Sequence, residues 1–281
     1  MNSGLVGQNG LREAKVLVGV LSIFGGVLLL VGQILHQLWI VFLAIVLVGI
    51  ITLVWSWMRN GEIFIAVGSL LIGTGMGLFL GFGTDLWDTG VPRAGVLILG
   101  SGCGFLLVTA IRFIRARSFC WWPILPASIL VSTGLCMLFS RIRLLDFVLY
   151  LSVGIGATFL CIGLIKRWLG FIIPGSIVLG SGLGVYLAWG RGLAPNALAQ
   201  TGLMLVYFAF GWIAISIFSR KITDQFVWWP LIPGGIFAMV GWGLYIGGNP
   251  GEAASFIGNT GSVGLIVLGM YLLLLRRSIK K

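Results

Sequence analysis

The side chains able to do chemistry are few and scattered along this chain. One histidine, His36, falls between two apolar runs. Alone it offers a solvated group whose charge answers to pH, not a ligand set or a partnered base. Asp85 and Asp88 flank Trp87 in a connection, and two carboxylates at that spacing would hold a cation only weakly. Arg141, Arg143 and Asp146 make the one mixed-charge cluster that a lipid-active enzyme would need at an interface, and they read better as an outer loop. The four cysteines show no C-x-x-C spacing. Cys103, Cys136 and Cys161 lie inside apolar runs and read as small buried hydrophobes, with Cys120 outside such runs. Neither a disulfide framework nor a zinc site is expected. Gly100-Ser101-Gly102-Cys103-Gly104 has the glycine content of a phosphate loop. That fingerprint needs a strand before it and a helix after it in water, whereas these glycines sit within an apolar span. Neither H-E-x-x-H nor G-x-S-x-G occurs. The sequence thus names no catalytic, cofactor-binding or metal-ligating residue, and a non-enzyme without cofactors is expected.

The elements around these residues are set by composition. Charged residues make up 9 % of the 281, apolar residues 59 %, and the mean hydropathy is +1.11. A typical soluble domain has about 25 % charged residues. Eighteen basic and seven acidic groups cannot cover the surface of a soluble protein this long, so the bilayer is its natural solvent. The net charge of +11 does not point to nucleic acid. The basic residues stand in short clusters between apolar runs, not in a stripe interleaved with exposed aromatics.

Ten apolar segments are long enough to cross about 30 Å of hydrocarbon. They lie near 15–35, 38–57, 62–82, 93–113, 121–140, 144–165, 168–189, 197–219, 226–247 and 256–275. The first follows Arg12 and Lys15 and is too long for a signal-peptide core, so it reads as an uncleaved span. Fourteen basic residues fall on one side of this frame, including Arg59, Arg112, Arg115, Arg117, Lys166, Arg167, Arg220 and Lys221. Four fall on the other: Arg93, Arg141, Arg143 and Arg191. The positive-inside rule then places both termini in the cytoplasm. Trp55, Trp57, Trp121, Trp122, Trp168, Trp228 and Trp229 would form an inner aromatic belt, and Trp39, Trp87 and Trp189 an outer one. No charged residue falls well inside a span, which argues against proton- or sodium-coupled transport.

The segments repeat. Small residues recur seven apart at Gly19/Gly26, Gly68/Gly75, Ala127/Gly134, Gly175/Gly182 and Gly234/Gly241. At an offset of 107 the likeness is closer: Gly73-Thr74-Gly75-Met76-Gly77 matches Gly180-Ser181-Gly182-Leu183-Gly184. Likewise Trp121-Trp122-Pro123-Ile124-Leu125-Pro126 matches Trp228-Trp229-Pro230-Leu231-Ile232-Pro233. The expected fold is an all-α integral membrane protein forming a single membrane domain over 1–281. Five tandem hairpins, near 15–60, 62–117, 120–167, 168–221 and 226–277, carry a four-helix super-repeat at that same offset. The small residues would let helices approach closely. The prolines read as helix starts or mild kinks, with Pro126, Pro174 and Pro233 placed equivalently one turn in.

The run Trp228-Trp229-Pro230-Leu231-Ile232-Pro233-Gly234-Gly235, leading into an apolar stretch, resembles the two-helix segment of LiaI/LiaF-type proteins. The likeness is confined to the fifth and ninth spans, starting at Trp121 and Trp228, and is weaker around Trp168, Pro174 and Gly175. It implies an association with cell-envelope stress sensing, although this chain has no soluble sensing domain. Multi-pass bacterial proteins built of such hairpins are a closer general match. Length and span count also resemble the drug/metabolite transporter group. That group's five-helix inverted halves differ from the even-numbered, same-sense unit here.

These features lead to the expectation of a polytopic protein of a bacterial cytoplasmic membrane, acting as a scaffold, accessory or envelope-associated component. Its expected partners are the lipid bilayer and a membrane protein or a second copy of itself. The alternative is a facilitator or exporter of a small neutral or apolar solute, with Gly75, Gly182, Thr74, Ser181 and Tyr186 lining its path.

Overall fold

The computed structural model describes residues 37–248 except 60, 61, 85, 88, 89, 118, 119, 140–142, 224 and 225, with isolated residues on either side. Most of the tenth segment, more than half of the first, and His36, Asp85, Asp88 and Arg141 therefore lie outside the described residues.

An apolar chain must satisfy its backbone groups internally, and here it does so by helices alone among the described residues. In chain order they are α1 (Leu38–Arg59), α2 (Glu62–Phe82), α3 (Gly90–Ala116), α4 (Ile124–Phe139), α5 (Leu144–Lys166), α6 (Leu169–Val185), α7 (Ala197–Thr223) and α8 (Leu231–Gly248). One π-helical turn, Tyr186–Gly190, continues α6. Seven of these helices are long and apolar enough to cross a membrane. The protein is therefore a multi-pass membrane protein by the length and composition of its helices.

The fifth expected span is shorter than the hydropathy pattern suggests. It reads as 121–140, but α4 has 16 residues, or roughly 24 Å at the helical rise. Trp121, Trp122 and Pro123 lie in the expected span but not in the helix, because they form the turn before it, closed by Ile124 N–H donating to the Trp121 carbonyl at 3.1 Å. The same sequence delays α8 to Leu231, where Leu231 N–H donates to the Trp228 carbonyl. Pro126 and Pro233 are third in their helices, where the missing N–H has no intrahelical partner to lose. Pro174 is sixth in α6 and falls inside the helix, so the three prolines are not equivalent.

Two helix ends depart from the usual chemistry. Arg117 after α3 and Arg167 after α5 both take φ of 50°. That left-handed conformation usually falls to glycine, since a Cβ there costs about 1–2 kcal/mol. Arg167 N–H donates to the Leu164 carbonyl and Trp168 N–H to the Gly163 carbonyl, which completes a Schellman cap. Arg117 N–H donates to the Phe113 carbonyl in the simpler form. A cation at these ends complements the negative pole of the helix.

The chain divides into two compact units, 1–162 and 163–281. In the first, α1 packs on α2, α2 on α3 and α3 on α4. In the second, α6 packs on α7 and α7 on α8. Trp55 meets Phe64 edge to face across α1 and α2, and Phe208 meets Phe237 similarly across α7 and α8.

Candidate functional site

Helix seams made of glycine come first, because they decide what space remains. A Cβ added at Gly73 of α2 would lie 2.5 Å from the Gly104 Cα of α3. One at Gly77 would lie 2.9 Å from the Leu97 carbonyl oxygen, and one at Gly104 would lie 2.9 Å from that of Ser69. The second unit repeats these contacts. A Cβ added at Gly180 would lie 2.8 Å from the Gly211 Cα, one at Gly184 2.7 Å from the Met204 carbonyl oxygen, and one at Gly211 2.7 Å from that of Ser176. Each pair is the other displaced by the same sequence offset that relates the Trp-Trp-Pro runs. The α3–α4 seam behaves likewise: a Cβ added at Gly134 would lie 2.8 Å from the Gly95 carbonyl oxygen, and one at Gly241 would lie 2.7 Å from that of Gly202. Burial follows the same register, at Ile65 and Ile172, Ser69 and Ser176, Val108 and Ile215, and Thr109 and Ser216.

These contacts fill the glycine grooves. The space over Gly75 holds Val46 of α1, and the faces of Gly73 and Gly77 hold α3. The Thr74 hydroxyl donates to the Leu70 carbonyl at 2.7 Å, and the Ser181 hydroxyl to that of Val178 at 3.0 Å. Both hydroxyls are thus spent on their own helix.

Glu62, Arg112 and Arg115 gather at one end of the first unit, where α1 and α3 finish and α2 and α4 begin. Arg112 donates from Nη2 to the Glu62 carboxylate at 2.6 Å and from Nη1 to Cys120 Sγ at 3.4 Å. One turn on, Arg115 donates to the Ser56 carbonyl at 3.1 Å and to the Trp57 carbonyl at 3.3 Å. Those carbonyls belong to the last turn of α1, which has no intrahelical donors for them. The Arg115 guanidinium also lies 5.7 Å from the centroid of the Trp57 ring, in a cation–π arrangement. Beside it opens an apolar cleft of about 310 Å³, lined by Leu53, Val54, Trp57, Met58, Ile65 and Ile111.

The remaining expected positions are dispersed. Cys136 is buried, as a small hydrophobe would be, but Cys103 and Cys161 are exposed on their helices and Cys120 is half-buried beside Arg112. The buried-hydrophobe expectation therefore fails at Cys103 and Cys161, whose helix faces lie outside the seams. Arg143 and Asp146 sit at the start of α5, where the carboxylate complements the helix dipole. Arg93 Nε folds back to donate to the Trp87 carbonyl at 2.9 Å. Gly100 and Gly104 serve the α2 seam, and Gly102 faces Val131 of α4. The belt tryptophans Trp57, Trp122, Trp168, Trp228 and Trp229 are exposed.

Sequence reasoning did not single out the Glu62–Arg112–Cys120 cluster or the Arg115–Trp57 pair. A signal was present: the positions 107 residues further on hold Leu169, Ser219, Val227, Ile222 and Leu164. No protein family, curated protein or solved structure matches this chain.

Proposed function

We propose that this multi-pass protein is a non-enzymatic component of a bacterial cytoplasmic membrane, serving as a scaffold, an accessory subunit or another envelope-associated part. In this reading ten spans form five hairpins, both termini face the cytoplasm, and the correspondence at an offset of 107 marks a duplicated four-helix unit. The observation that carries the reading is the use of the polar and small groups of the spans. Glycines bring backbones together in matching seams, and Thr74 and Ser181 hydroxyls turn onto their own helices. Such a chain is built for packing.

The test is affinity capture of the tagged protein from mildly solubilised native membranes, with mass spectrometry of what co-purifies. A partner at near-stoichiometric yield is expected. A clean monomer or homo-oligomer would overturn the accessory role in favour of a facilitator for a small neutral or apolar solute, which liposome flux would then measure. Reporter fusions at each terminus test the orientation, and a reporter active only outside the cytoplasm would refute it.

A further inference from the structure

Two copies of one packing scheme separate what the fold requires from what it does not. Seam positions keep their character across the repeat: glycine faces glycine, and Ser69 and Ile65 become Ser176 and Ile172. The basic end does not. Where Arg112 meets Cys120 Sγ, the second unit has Ser219, whose hydroxyl oxygen accepts from Val227 N–H at 3.4 Å. The same two positions hold the connection in both units, by different chemistry. Where Arg115 stands there is Ile222, which is buried, and Glu62 gives way to Leu169. The packing of α6 on α7 and α7 on α8 therefore forms without the arginines.

We infer that the cleft between the ends of α1, α2 and α3 binds an anionic phospholipid, with an acyl chain against Val54, Trp57 and Ile111 and the phosphate at Arg115 and Arg112. Three observations converge on this occupant. The lining is wholly apolar, as a chain requires. The cleft reaches the last turn of α1, so its mouth lies at headgroup level, where long basic side chains extend from span ends. Charge at the mouth favours an anion, since Arg115 lies over the lining residue Trp57 and Arg112, paired with Glu62, stands one turn away on the same helix. The carbonyl bonds of Arg115 and its position over Trp57 hold the guanidinium at that mouth beforehand. Guanidinium groups bind phosphate oxygens bidentately.

The experiment uses the full chain, purified in mild detergent and titrated with phosphatidylglycerol or phosphatidylcholine, with retained lipid counted by native mass spectrometry. One phosphatidylglycerol is expected to be held more tightly than phosphatidylcholine. Arg115→Gln is expected to weaken it about fivefold, the usual worth of one basic group at an anionic surface. Val54→Trp fills the cleft without touching a charge and is expected to abolish selective retention. Cys161→Trp, at the repeat-equivalent position, should leave retention unchanged. Unfolding curves of each variant separate lost binding from lost folding. Equal retention of the two lipids would overturn the inference. So would selective retention that survives Val54→Trp, or a co-purifying protein that Val54→Trp releases.

Discussion

Gly73→Ala is the sharpest probe of the seams. The new Cβ would sit 2.5 Å from the Gly104 Cα and 2.6 Å from its nitrogen, both backbone atoms that no rotamer change can move. Ordinary carbon contacts lie at about 3.5–4.0 Å, so α2 and α3 must part by about 1 Å. Overpacking of this kind costs about 1–3 kcal/mol. Alanine returns about 1 kcal/mol over glycine in helix propensity, leaving a net loss of about 0–2 kcal/mol. Gly180→Ala faces the equivalent Gly211 Cα at 2.8 Å and should lose somewhat less. Gly243→Ala has nothing within 4 Å, so only the propensity gain remains and stability should hold or rise. Unfolding of the purified protein by dodecyl sulfate, followed by far-UV circular dichroism and tryptophan fluorescence, should rank Gly243→Ala first, then the parent, Gly180→Ala and Gly73→Ala. Equal stability of Gly73→Ala and Gly243→Ala would refute the argument that backbone contact sets these seams.

Other perturbations test the helix ends. Asn196 Oδ1 accepts from Ala199 N–H at 2.9 Å as the cap of α7, while its Nδ2 donates to the Gly248 carbonyl at the end of α8. Asn196→Ala should cost about 1–2 kcal/mol and speed amide exchange in the first turn of α7. Arg167→Gly relieves the left-handed arginine and should raise the unfolding free energy by about 1 kcal/mol in the same titration. Glu62→Gln removes an ion pair whose carboxylate is 78 % exposed, and a shift above roughly 0.5 kcal/mol would contradict its surface character.

Hydropathy located most helices because a span must be continuously apolar to lie in lipid. The segments at 62–82 and 144–165 correspond to Glu62–Phe82 and Leu144–Lys166 with hardly a shift. It misjudged the fifth and ninth starts because the Trp-Trp-Pro runs adjoin the apolar segments but form the turns that precede the helices. The seven-residue glycine spacing marked tight faces but not their partners. Gly73 and Gly77, not members of the spaced pair Gly68/Gly75, proved to face α3, while Gly75 faces α1. The basic cluster escaped notice because charge counting treats each arginine as an anchor. Only the contrast with Ser219 and Ile222, on a common packing scheme, singles out Arg112 and Arg115.

The substantial seams among the described helices join neighbours in sequence. Assembly can therefore keep pace with synthesis. Gly73 emerges one helix ahead of its partner Gly104. At roughly 5–20 residues per second, a newly inserted helix waits only seconds for the surface that completes it. Among the described helices, α1 to α4 need not stay unpaired until the distant end of the chain arrives, which limits the time their glycine faces are open to the wrong neighbour.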